Sequence, residues 1–255
     1  LQGYTIGLYD ELEKISGQAC GLHRSGGLIL ADTPERLEWL KMAHARAKYL
    51  GLETEMMSMK EAKALNPLLE EKYFVGAMLD AADGNLDPEG TTHAYAKSAR
   101  IAGAEIYQNC RVTDLKARAD GTWDVITVNG NIHAEHVVNC GGLWAREVGR
   151  MVGLELPVLA MEHMYLVTDD MPEVIAYNKE RGRELPHIID FKSEIYMRQE
   201  RSGIVLGTYE KACKPWQPRE TPWDFGTELL PPDLDRIAPS LELGYKHFPA
   251  LAKAG

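Results

Sequence analysis

The side chains best equipped for chemistry are an imidazole, a phenol and a guanidinium: His163 in MEHMYLV, and Tyr196 and Arg198 in SEIYMRQE. An unperturbed imidazole titrates at about 6.5, so it accepts or releases a proton near neutral pH. A phenol both donates and accepts hydrogen bonds, and a guanidinium fork matches a carboxylate. Both segments alternate in the strand manner. Alternation puts His163 on one face with Met161 and Tyr165, and Tyr196 on one face with Arg198. Spacing alone leaves two readings open: a functional set, or a hydrogen-bonded structural histidine beside an ordinary cross-strand pair.

The second cluster is VVNCGGLWAREVG, a strand (His136–Cys140) that turns at Gly141-Gly142 into a helix. Two glycines let backbone approach a ligand closely, and a helix N-terminus offers free N–H groups to an anion. The same residues also make a tight structural turn, with Trp144 in the core. Other chemistries lack their residues, because the chain has no G-x-G-x-x-G, Walker loop, H-E-x-x-H or G-x-S-x-G. His133 and His136 fall on opposite faces of a strand, which disfavours a metal pair. Cys20, Cys110, Cys140 and Cys213 are too scattered for a zinc site or a disulfide framework, and suit a reducing compartment.

The elements that would position these groups are marked by caps and turns. Apolar spacing predicts a helix over residues 5–16, stopped by Gly17. Ser25-Gly26-Gly27 reads as a hairpin turn between two short strands. Thr33-Pro34 opens a helix that runs to Gly51, and Ser58 with Glu61 forms a capping box for a short helix ending near Asn66-Pro67. A strand over 73–80 and a helix over Pro88–Ala102 follow. From residue 104, three strands are separated by Asp120-Gly121 and Asn129-Gly130, two strong hairpin signals. Further strands occupy VLAMEHMYLVTDD, HIIDF, SEIYMRQE and GIVLGTY, before a helix from Asp233 toward Lys246. The fold class is α/β (α+β) with a large antiparallel share.

Composition narrows the function classes. With 45% hydrophobic and 26% charged residues in 255, the chain is an ordinary globular one with ample core. A net charge of −10 repels phosphate backbones and anionic lipid, so nucleic acid and membranes are not expected partners. No apolar run reaches the roughly 20 residues of a membrane-spanning helix.

LYDELEKISGQ, DGNLDPEG, KARADGTWDV, VVNCGGLWAREVGRMVGLELPV, MEHMYLVT, YMRQERSGIVLGTYE and FGTELLPPDLDRI follow one another in an order that resembles the dimethylglycine and sarcosine dehydrogenases of the D-amino-acid-oxidase-like flavoproteins. The resemblance spans essentially the whole chain. It implies an FAD-binding domain interleaved with an antiparallel-sheet substrate domain. Residues 1–84 and 155–232 look like substrate domain, 85–154 like returning parts of the FAD domain, and 233–255 like a helix leading back to it. Val112 matches the position whose backbone meets the adenine end of FAD. Cys140, Gly141, Gly142, Leu143 and Trp144 match the turn closing over the phosphates and ribityl chain. His163 and Tyr196 stand where the family places active-site residues. Arg198, by strand geometry, is assigned to the substrate carboxylate.

The implied reaction is oxidative demethylation of an N-methyl amino acid, with an electron-transfer flavoprotein or oxygen as acceptor and tetrahydrofolate as a possible further cofactor outside this chain. The alternatives are an amino-acid oxidase on another amine and a non-catalytic binding module. The expected location is cytoplasmic, or the mitochondrial matrix in a eukaryote. The family's pyrophosphate turn and flavin-carrying histidine are absent from these 255 residues, so the isolated stretch is expected to bind FAD weakly and not to turn over.

Overall fold

The computed structural model describes residues 2–255, which form two compact units. The first unit comprises residues 2–104, 163–212 and 232–255, and the second comprises 105–162 and 213–231. Elements are numbered in chain order. The mixed α/β class with a mainly antiparallel sheet is as the sequence implied.

The first unit is built on seven strands: β1 (Gly27–Ala31), β2 (Thr54–Met57), β3 (Gly76–Asp80), β7 (Tyr165–Val167), β8 (His187–Asp190), β9 (Ile195–Glu200) and β10 (Gly203–Thr208). They lie in the order β2-β3-β1-β8-β9-β10-β7. Every neighbouring pair is antiparallel except β1 and β8, where Gly27 lies opposite His187 and Ile29 opposite Ile189 in parallel register.

Period-two alternation sorts each strand onto two faces. Leu28, Leu30, Ile188, Ile195, Met197, Ile204 and Leu206 enter the main core with α6 (Pro172–Arg181), α7 (Leu234–His247) and Phe248. On the opposite face, α2 (Pro34–Tyr49) lays Leu37, Leu40 and Ala43 against Ile29, Ala31, Met56 and Met78. That helix covers only the β2-β3-β1 half. Among the described residues of this unit no helix packs on the other half, where His187, Ile189, Tyr196, Arg198, Val205, Gly207, Tyr165 and Val167 alternate outward.

Caps account for the helix starts. Thr33 accepts a hydrogen bond from Arg36 N at 3.2 Å with Pro34 at the first helical position, and the Ser58–Glu61 box opens α3 (Met59–Leu65). Asp87 caps α4 (Pro88–Ile101), which packs on α1 (Gln2–Ser16) around Leu12, Cys20 and Ala94.

Three strand expectations fail for stated reasons. The hairpin at Ser25-Gly26-Gly27 does not form, because β3 and β8 occupy both edges of β1. Instead His23 bridges Asn85, and the Gly26 N–H donates to the Asp83 carbonyl at 3.0 Å. His136–Cys140 is not a strand: no strand pairs with it among the described residues, and Val138 is 80% exposed. His163 lies outside β7, whose pairing with β10 stops at Tyr165 opposite Gly207.

The second unit holds the antiparallel sheet β4 (Val112–Ala117), β5 (Trp123–Thr127) and β6 (Gly130–Ala134), with hairpins at the two expected dipeptides. β4 begins only at Val112, because Asn109 at φ 55° interrupts any extended run before it. A 3-10 turn (Gly142–Trp144) leads into α5 (Ala145–Arg150), shorter than the expected helix. Arg146, buried beside Glu147, donates to the carbonyls of Pro218 and Gln217 at 2.8 and 3.1 Å. The Thr221 N–H donates to Glu147 at 2.8 Å, and the Trp144 indole to the Pro222 carbonyl at 2.8 Å. These bonds hold 213–231 against the 3-10 turn and α5.

Candidate active site

Strand pairing carries the site. β9 and β10 form a hairpin through Arg201-Ser202, and its register sets Tyr196 opposite Gly207 and Arg198 opposite Val205. The pairing continues past β10, with the Tyr209 N–H donating to the Glu194 carbonyl at 2.7 Å. Tyr209 is thereby delivered beside Tyr196, with ring centroids 5.2 Å apart. His163 comes from the other side. Its Nε2 is 3.0 Å from the Tyr196 hydroxyl, and its ring stacks on Tyr209 at 5.2 Å. One imidazole and two phenols thus form a contiguous cluster on the face left open by α2.

Two clefts share this face, and Tyr196 and Arg198 line both. One, of about 830 Å³, runs from Tyr209 over Ile189 toward His187 and Phe191. The other, of about 940 Å³, lies toward Tyr165, Val167 and Glu200. The two residues singled out by alternation therefore form the wall between them.

Electrostatics fix the protonation of several groups. Burial first, and then the neighbouring Tyr209 and Tyr165, push the Tyr196 phenol above its ordinary value, against the pull of Arg198. At neutral pH it is therefore a neutral donor. Arg198 donates to Glu200 at 2.6 Å and to the Gln199 carbonyl at 2.9 Å. At the far end of the larger-stranded side, His187 Nε2 lies 3.1 Å from Asp83. Burial alone would raise the Asp83 carboxyl, but hydrogen bonding and charge from His187, with the Gly84 N–H, hold it below the usual carboxylate range. Arg36 stacks over Phe191 at 4.4 Å, and Trp39 meets Phe191 edge-on at 5.7 Å.

His163 and Tyr196 are thus brought together, and Arg198 stands on the same strand face as Tyr196. Val112 and Cys140–Trp144 all belong to the second unit. There Val112 opens β4 beside a register shift, Asn139 Oδ1 accepts from the Gly141 N–H at 3.0 Å, and Gly142 takes φ 52°. Sequence reasoning missed Tyr209 and the His187–Asp83 pair. Backbone pairing of the Asp83-Gly84-Asn85 loop with residues 23–26 is what carries Asp83 to His187.

The family model described as FAD dependent oxidoreductase (DAO) matches residues 1–255. The chain belongs to the FAD-dependent oxidoreductase family. This FAD-dependent oxidoreductase is 39% identical over 255 residues to mouse (Mus musculus) mitochondrial dimethylglycine dehydrogenase, covering 98% of this chain and 29% of that protein. It is 31% identical over 250 residues to mouse mitochondrial sarcosine dehydrogenase, covering 96% of this chain and 26% of that protein. The chain therefore spans less than a third of the length of these relatives. The crystal structure of L-proline dehydrogenase from P. horikoshii superposes with a TM-score of 0.78 at 23% identity, covering 99% of this chain and 63% of that one, which shows the shared fold. FAD is the cofactor of the family. Among the described residues no helix is long and apolar enough to cross a membrane.

Proposed function

We propose that the protein carrying this chain oxidises the N-methyl group of a small amino acid of the dimethylglycine or sarcosine type. The observation that carries the proposal is the 3.0 Å hydrogen bond between His163 and Tyr196 on the open sheet face. The residues present fit FAD: the half-face free of helices is lined by Ile189, Val205 and the tyrosines, leaving room for a planar group. Val112 and the Cys140, Gly141, Gly142, Leu143, Trp144 turn are proposed to hold its adenine and its phosphate–ribityl portions. When bound, FAD supplies the acceptor for the hydride leaving the N-methyl carbon.

The chain's own residues manage the proton and the orientation. An ammonium cannot release a hydride from its methyl carbon, because the nitrogen lone pair must form the iminium bond. His163 Nε2 is the base that receives the ammonium proton. Tyr196, kept neutral by burial, donates a hydrogen bond to His163 before the amine arrives and to the substrate carboxylate afterwards. Arg198 is proposed to receive the substrate carboxylate. Water adds to the released iminium and gives formaldehyde and the demethylated amine, unless tetrahydrofolate takes the one-carbon unit. An electron-transfer flavoprotein or oxygen is proposed as the electron acceptor.

The test is anaerobic bleaching of the flavin-loaded protein by dimethylglycine and by sarcosine. The wild type is expected to bleach, and a His163→Ala variant with full flavin content to do so about 10²–10⁴ times more slowly. A flavin spectrum that neither amine bleaches would move the substrate to another amine. A protein without flavin would leave the binding-module reading.

A further inference from the structure

Tyr196 and Gly207 are directly opposed in the β9–β10 ladder. A Cβ placed on Gly207 would lie 2.2 Å from Tyr196 Cζ, 2.3 Å from its hydroxyl oxygen and 2.5 Å from Cε1. Carbon atoms make their best contacts at about 3.5–4.0 Å, so a methyl group and this ring cannot share the space. The ring therefore lies across the bare backbone of β10, and its reactive end occupies the volume that any other residue at 207 would fill. Tyr209 is 5.2 Å away by centroid, and His163 holds the hydroxyl at 3.0 Å. Moving the phenol off β10 breaks the bond to His163. A glycine in a strand interior weakens the strand, and its usual justification is such a close approach.

We infer that Gly207 is a positioning residue: its missing side chain seats the Tyr196 phenol on β10 and so sets the His163–Tyr196 hydrogen bond. For catalysis this rests on the reading given under Proposed function, while the seating itself does not. A methyl group at 207 lifts the phenol out of its half-buried seat, so the burial that raises its pKa is relieved.

The experiment uses the flavin-loaded protein with ¹³Cζ-labelled tyrosine, the Tyr196 resonance being assigned from a Tyr196→Phe variant. In the wild type this phenol is expected to titrate above the ordinary value of about 10. In Gly207→Ala it is expected to fall back toward that value and the resonance to shift. Amine-dependent flavin reduction is expected to slow about 10–100-fold in Gly207→Ala, the scale of loss for a displaced group of about 1 Å. In a Tyr196→Phe background, where no hydroxyl remains to be misplaced, the same substitution is expected to change the rate less than twofold.

An unshifted phenol titration overturns the inference, as does an equal rate loss in both backgrounds. If Gly207→Ala fails to fold, Gly207→Ala with Tyr196→Ala must restore folding, since the clash is then gone; failure to do so also overturns it. A protein that oxidises neither amine but shows the titration shift would refute the functional reading and leave the positioning intact.

Discussion

A guanidinium that already donates to Glu200 at 2.6 Å receives a substrate carboxylate by exchanging one acceptor for another. Both side chains are about a third exposed, at 34% and 38%, so the existing pair is screened and weak, of order 0.2–1 kcal/mol. Glu200→Gln frees the fork, and the KM for dimethylglycine or sarcosine is expected to fall about two- to fivefold. Arg198→Ala is expected to raise it about tenfold with kcat little changed, as for loss of uniform binding. Unchanged KM in both variants would transfer the carboxylate to Arg36, whose guanidinium lies over Phe191 and Trp39. Tyr196 and Arg198 were legible as one face from alternation alone. The meeting of His163 with Tyr196 was not, because His163 stands outside any strand and only the family resemblance placed it. Tyr209 and Gly207 stayed hidden because they follow from the β9–β10 register. Arg201 makes that turn at φ 53°, without the glycine or asparagine that announces a tight hairpin.

Elements announced by local chemistry were read well. The Thr33-Pro34 cap, the Ser58–Glu61 box, Gly17 and the two dipeptide hairpins each act within a few residues of their own position. Elements whose existence depends on distant partners were not: β1 refuses a hairpin because β8, some 160 residues later, holds its edge, and His136–Cys140 finds no partner. The segment 213–231 shows the same dependence, since its anchors are Arg146 and Glu147 of α5. Removing one member of a buried ion pair strands the other, typically at a cost of 3–5 kcal/mol. Arg146→Met is expected to destabilise the second unit by about that amount and to free the Gln217 and Pro218 carbonyls. Urea unfolding followed by tryptophan fluorescence, to which the second unit contributes Trp123, Trp144, Trp216 and Trp223, is the measurement. Arg146→Met with Glu147→Leu should recover part of the loss, because no charge is then left buried alone while the Gln217 and Pro218 carbonyls and the Thr221 N–H still lack their partners.

Across the molecule, helix α4 packs on α1 and lies in the first compact unit. Amphipathic spacing in a helix says that one side is buried and not which neighbour buries it. The first unit is sewn from three stretches of chain and the second from two. One crossing between them, Lys211-Ala212-Cys213-Lys214, is exposed along its length. Pro215 shields Lys214 from trypsin, so the protein is expected to be nicked after Lys211 without releasing a piece. Downstream of the nick, 213–231 stays held by Arg146, Glu147 and Trp144, and α7 by the main core. Denaturing electrophoresis should show two fragments where native electrophoresis shows one species, a protein whose covalent continuity at that point is dispensable to its shape.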